Sequence, residues 1–104
     1  MTEANAVIMV VDDDRQVLEL TARLLQAGGY HAVACDSGIT ALERIKCERA
    51  DVVLADFRMP GMSGLDLLGR LKATGCRLPV VLMTGRADVD MALKAVRLGV
   101  FDII

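Results

Sequence analysis

The sequence predicts an α/β domain with a parallel sheet and helices on both faces. Two observations predict it. Short apolar runs alternate with stretches whose apolar residues recur at helical spacing. The helical stretches are about ten to thirteen residues long, the length of a right-handed crossover between parallel strands.

Each element follows from its residues. Ala6–Val11 is an uninterrupted apolar run, rich in valine, that stops at Asp12-Asp13-Asp14. Such a run reads as a strand buried on both faces. Val17, Leu20, Leu24 and Leu25 then fall at helical spacing, with Asp14 placed as the N-cap and Gly28-Gly29 as the stop. His31–Cys35 reads as a second strand. Ser37 is placed to cap a helix carrying Ile39, Leu42 and Ile45 on one face. Val52–Ala55 is a third strand, ended by Asp56, and the loop Arg58-Met59-Pro60-Gly61-Met62-Ser63-Gly64 follows. A helix with Leu65, Leu68 and Leu71 runs to Gly75. Pro79–Met83 is the fourth strand, ended by Thr84-Gly85. Asp88 opens a helix through Ala92, Ala95 and Val96 that closes at Gly99, and Phe101–Ile104 begins a fifth strand. An apolar final strand lacks the helix that would cover it. Residues 1–104 therefore read as one domain, incomplete at its C-terminal side.

Composition bounds the rest. The chain has 104 residues, 54% of them apolar and 25% charged, which is a folded domain and not a disordered one. Aromatic residues are 3%, so the core is aliphatic. The net charge of −2 supplies no basic stripe for phosphates, which argues against nucleic-acid binding by this segment. Cys35, Cys47 and Cys76 are too few and too scattered for a disulfide framework, and no Cys/His pair has metal-ligand spacing. Reduced, mostly buried thiols are expected. His31 reads as an ordinary strand histidine and the six methionines as core filler. No leader is legible at the N-terminus, and the longest apolar run is far too short to span a bilayer. A cytoplasmic location is expected.

The chemistry gathers at one rim. In an open parallel sheet, the active crevice lies beyond the carboxyl ends of the strands. Asp12 and Asp13 close the first strand, Asp56 the third and Thr84 the fourth. In the common doubly wound order 2-1-3-4-5, those strand ends are neighbours. Three carboxylates so placed repel one another and need protons or a cation. Hard oxygen donors with an incomplete shell suit Mg²⁺, which shares its ligands with a phosphate. A carboxylate beside such an ion can attack phosphorus and become an acyl phosphate.

Three stretches carry a family resemblance: Val-Val-Asp12-Asp13-Asp14, then Asp56-Phe-Arg-Met59-Pro60-Gly61-Met62-Ser-Gly64, then Val-Leu-Met-Thr84-Gly85-Arg86-Ala87-Asp88. Their order, spacing and strand-end placement resemble the receiver domain of two-component response regulators, over essentially the whole chain. The sub-family most similar fronts DNA-binding or AAA+ transcriptional output domains. The resemblance implies a flavodoxin-like fold. It implies Asp56 as phosphoacceptor, with Asp13, Asp56 and the backbone carbonyl of Arg58 on Mg²⁺ and Asp12 acting mostly through a metal-bound water. Thr84 would be the switch hydroxyl, and the backbone of Arg58 and Gly85 would contact the phosphoryl group. A sensor histidine kinase would be the donor. The chain would catalyse only its own phosphorylation and dephosphorylation. The fourth helix and fifth strand would change shape to control dimerisation or an output domain. A homodimer through that face, or through the uncovered sheet face, is a further expectation.

The resemblance departs at two points. The family's catalytic lysine, which follows the fifth strand, would lie beyond Ile104 and is not present in the chain. The aromatic switch position falls on Ile103, with Phe101 two residues earlier and so on the same face of a strand. Two other functions compete. An enzyme of the haloacid-dehalogenase type wants Asp-x-Asp-x-Thr/Val, and Asp12-Asp13-Asp14-Arg15-Gln16 fails at the last position. A pseudo-receiver that only binds partners is disfavoured by the complete acidic set.

Overall fold

The computed structural model describes residues 6–85 and 89–104. Five parallel strands form one sheet in the order β2-β1-β3-β4-β5. The strands are β1 Val7–Val11, β2 His31–Cys35, β3 Val52–Asp56, β4 Val80–Met83 and β5 Asp102–Ile103. Between them run α1 Arg15–Ala27, α2 Gly38–Arg44, α3 Gly64–Ala73 and α4 Val89–Arg97. The flavodoxin-like class and the strand order are those expected from the sequence, and among the described residues the last element is β5. The expected opening of α4 at Asp88, and Arg86 of the third motif stretch, lie outside the described residues.

The caps explain where the helices begin. Asp14 accepts from the amides of Gln16 and Val17, at 3.0 and 3.3 Å, and Ser37 accepts from that of Thr40 at 3.1 Å. Ser63 and Asp66 form a reciprocal capping box at the start of α3, each side chain accepting from the other's amide at 3.1 Å. Ser63→Ala is expected to lower stability by about 1 kcal/mol, because one orphan donor of the first turn loses its acceptor. A shift of the urea midpoint at unchanged slope is the check; an unmoved midpoint would exclude a stabilising cap.

The core lies mainly on one face of the sheet. Val53, Ala55, Val80 and Leu82 are buried there with Leu67, Leu68 and Leu71 of α3 and Ala95 of α4. The other face is covered by α1, which contacts β2 and β1. The alternate residues of β3 and β4 (Val52, Leu54, Val81 and Met83) are therefore only half-buried. The expectation of burial on both faces holds for most of β1, an interior strand between β2 and β3, and Ile8 is its exception.

Four readings of the apolar pattern need correction. On α1 the buried residue is Leu18, while Val17, Leu20 and Leu24 are exposed, Leu24 at 65%. That helix carries two apolar stripes, and the inner one is built on Leu18, Ala22 and Leu25. On α2 the inward face is Gly38, Ala41, Leu42 and Ile45, so Ile39 stays exposed. Helical geometry turns Ile39 about 100° away from Gly38. On α4, Val96 is exposed beside buried Ala95. Of the cysteines only Cys35 is buried, with Cys76 half-buried and Cys47 exposed beyond α2. Met9 and Met59 do fill the core.

Candidate functional site

Sheet register builds the site. Val11 of β1 pairs with Ala55 of β3, so the next residues, Asp12 and Asp56, leave the sheet side by side. Asp56 pairs with Met83 of β4, which puts Thr84 one step further along the same rim. The chain then turns at each strand end into a helix. Asp12 is held from two sides: its amide donates to the Cys35 carbonyl at 3.1 Å, and its Oδ1 accepts from the Asp14 amide at 2.9 Å. It is 5% exposed, whereas Asp13 is open to solvent and Asp56 is half-buried.

One carboxylate oxygen from each of Asp12, Asp13 and Asp56 lies within 4.8 Å of the others. At that separation two such charges repel by about 3.5 kcal/mol at an effective dielectric of ~20. Burial pushes the Asp12 carboxyl above the usual carboxylate range; the Asp14 amide opposes this and the charges of Asp13 and Asp14 add to it. Burial does the same to Asp56, reinforced by the charges of Asp12 and Asp13 and opposed by the amides of Phe57 and Arg58. Among the described residues, the ion pairs are Arg15–Asp36, Arg44–Glu48 and Arg49–Asp51, and none reaches this cluster. Among the described residues, the cluster is therefore short of positive charge. Three hard oxygen donors converging at a rim open to solvent fit a small divalent cation that keeps some of its water.

Asp56 also faces a hollow. Its lining is Asp56, Phe57, Arg58, Thr84 and Gly85. Thr84 is tied to β5 through its amide, which donates to the Ile104 carbonyl at 2.9 Å. The Phe57 amide donates to the Met83 carbonyl at 2.8 Å and anchors the β3–α3 loop to β4. A nucleophilic carboxylate, a hydroxyl and backbone amides around one small hollow can receive a phosphoryl group.

The sequence places Phe101 and Ile103 on one strand face; the structure does not. Phe101 precedes β5 and is 72% exposed, while Ile103 is half-buried. The Phe101 amide bonds the Val80 carbonyl and the Ile104 amide bonds that of Leu82. Three steps of the last segment thus run against two of β4, and period-two alternation fails there.

Two contacts around the loop went unread in the sequence. A Cβ on Gly64 would sit well inside van der Waals contact with the Asp56 carbonyl oxygen. A Cβ on Gly38 would meet Met62, at 2.7 Å from Sδ and 3.3 Å from Cβ. Both glycines open helices, where glycine is otherwise costly, and that was the available signal.

The chain is similar to known proteins over nearly its whole length. The family model for the response regulator receiver domain matches residues 8–104. The chain is similar to the DNA-binding transcriptional regulator NtrC of Escherichia coli (strain K12), 38% identical over 98 residues. That match covers 94% of this chain and 21% of the relative. It is similar also to the C4-dicarboxylate transport transcriptional regulatory protein DctD of Rhizobium meliloti (strain 1021), 34% identical over 93% of this chain and 21% of that one. The chain thus spans about a fifth of the length of these relatives. Among solved structures, a response regulator receiver protein from Pseudomonas putida superposes with a TM-score of 0.92 at 28% identity, covering 99% of this chain and 87% of that one. The chemotaxis protein CheY4 of Vibrio cholerae shares the fold, with a TM-score of 0.92 at 22% identity over 97% and 86% of the two chains.

Proposed function

Because the chain belongs to the response regulator receiver domain family, we propose that it is a phosphoacceptor switch whose acceptor is Asp56. The single observation that carries the reading is the meeting of Asp12, Asp13 and Asp56 beside the hollow shared with Thr84. An Asp56 carboxylate oxygen attacks the phosphorus of a phosphohistidine. The new O–P bond forms as the N–P bond breaks, and the imidazole nitrogen leaves with the electron pair and takes a proton. Asp12, Asp13, Asp56 and the Arg58 carbonyl would hold Mg²⁺. The ion supplies positive charge to the transferring phosphoryl oxygens.

The chain's own residues do the rest. The amides of Phe57 and Arg58 favour the charged form of the Asp56 carboxylate. The Thr84 hydroxyl and the Gly85 backbone line the side on which the phosphoryl group arrives. Because Thr84 bonds Ile104, a shift of the hydroxyl toward the acceptor reaches the segment after α4. We assign the switch to that segment and to Ile103, with Phe101 as its exposed aromatic neighbour. Residues 1–104 form the receiver unit of a larger protein whose donor is a sensor histidine kinase and whose output is transcriptional. The only covalent step is on the chain itself, so it is no enzyme toward other molecules. Among the described residues no helix is long and apolar enough to cross a membrane. The segment works in the cytoplasm and contacts neither membrane nor nucleic acid. Its dimer contacts, where they form, use the α4–β5 face or the half-covered sheet face.

Intact mass after incubation with acetyl phosphate tests the reading. One phosphoryl group is expected, dependent on Mg²⁺ and absent from Asp56→Asn. No gain on the wild-type chain, or an unchanged gain in the variant, would sink it.

A further inference from the structure

The corner between β2 and α2 touches both arms of the acidic site. Its first residue, Cys35, receives the Asp12 amide at 3.1 Å. Three residues later Gly38 opens α2, is buried, and lies against the side chain of Met62. Met62 belongs to the loop that leaves Asp56 and carries the Arg58 carbonyl. The corner therefore braces the end of β1 and the β3–α3 loop at once.

The contact at Gly38 is tight along the whole methionine stem. A Cβ there would stand 2.7 Å from Sδ, 3.0 Å from Cγ and 3.3 Å from Cβ of Met62. Swinging the Met62 side chain aside relieves the contacts at Sδ and Cγ and leaves that at Cβ, which asks the loop or the start of α2 to give by a few tenths of an ångström. Yet the ends of that loop are fixed. Phe57 is bonded to Met83, Gly64 donates to the Phe57 carbonyl at 3.1 Å, and Gly64 abuts the Asp56 carbonyl. Displacement at Met62 is confined between these anchors, where Arg58 lies. The other side of the contact is also held: Ser37 caps α2 through Thr40, and Ala41 is buried.

We propose that Gly38 is a positioning residue for the cation and phosphoryl site, acting through Met62 on the Arg58 segment of the β3–α3 loop. The proposal rests on the receiver reading above, since it presumes that the three carboxylates bind Mg²⁺. It predicts that one methyl group on α2, in no contact with the carboxylates, loosens their cation.

The probe is Mg²⁺ itself, titrated while the backbone amide signals of Asp13 and Arg58 are followed by NMR, with thermal melting run alongside. Gly38→Ala is expected to weaken Mg²⁺ binding roughly tenfold, the loss typical of disturbing a ligand's support. Met62→Ala removes volume and cannot clash; alone it is expected to weaken binding in the same direction. Adding Gly38→Ala to Met62→Ala is expected to cost clearly less than the sum of the two single losses, because alanine at 62 removes the two shorter contacts and keeps only the 3.3 Å contact at Cβ. A purely structural role would lower the melting temperature and leave the affinity of the folded chain intact. Should Gly38→Ala fail to fold, Met62→Ala alone decides: wild-type affinity in it overturns the proposal. Wild-type affinity in a folded Gly38→Ala, or additive losses in the double variant, also overturns it while the receiver reading stands. A wild-type chain that binds no Mg²⁺ overturns both.

Discussion

Gly64→Ala is expected to destabilise the chain by about 3 kcal/mol, the upper part of the usual cost of forcing extra atoms into a packed site. The added methyl group would run into the carbonyl of Asp56, and its other close neighbour, at 3.0 Å, is the buried Leu82. Neither is a flexible chain end that can swing away. The clash can be relieved only by moving the first turn of α3 off the end of β3, which breaks the bond from the Gly64 amide to the Phe57 carbonyl. For a domain of this size that loss lowers the melting temperature by roughly 10 °C or more. Because the carbonyl that moves belongs to Asp56, phosphoryl acceptance should fall even below the transition, where the chain is still folded. A variant that melts with the wild type and accepts phosphate at its rate would show that the approach is not needed.

The second large effect concerns charge. Mg²⁺ at ten times its dissociation constant is expected to stabilise the wild-type chain by about 1.4 kcal/mol, or roughly 5–10 °C in melting temperature. Without a divalent cation the stability should fall as pH rises from the ordinary carboxylate range. The sign follows from the shifts. Asp12 and Asp56 both titrate above their ordinary value of 3.8 when folded. Between that value and the raised ones, the folded chain holds more protons than the unfolded chain. Stability therefore declines with pH through that window, and the penalty is fully present above the raised values. Asp56→Asn removes one of the mutually repelling charges. At pH 7 without Mg²⁺ it should melt above the wild type and gain less from added Mg²⁺. Melting scans of both chains from pH 4 to 8, with and without Mg²⁺, are the check. A wild-type chain indifferent to Mg²⁺, or an Asp56→Asn chain that melts lower at neutral pH, would contradict this account of the cluster.

The local elements were legible residue by residue. Asp14, Ser37 and Ser63 each cap the helix that follows, because a short side-chain oxygen satisfies amides that the first turn leaves open. The strand-end placement of Asp12, Asp56 and Thr84 was also legible, since each closes an apolar run. Period-two and period-3.6 patterns report which residues are apolar together. They do not report which of two apolar stripes meets the core. That is why Leu18, and not Leu20 or Leu24, is the buried leucine of α1.

What the sequence by itself determined is the class of fold, the order of its elements, the helix caps and the residue types at the rim. These depend on hydrogen bonds and periodicities within a few residues. Only the tertiary structure decided how far the carboxylates stand from one another, since that follows from the register of β1 against β3. The structure adds to the half-covered sheet face, expected from the sequence, that α1 contacts mainly β2 and β1 on that side. It alone showed Phe101 off the strand, because an extra residue against β4 is invisible to alternation. It alone revealed Gly38 against Met62 and Gly64 against Asp56, because close approach between segments far apart in the chain leaves no local pattern.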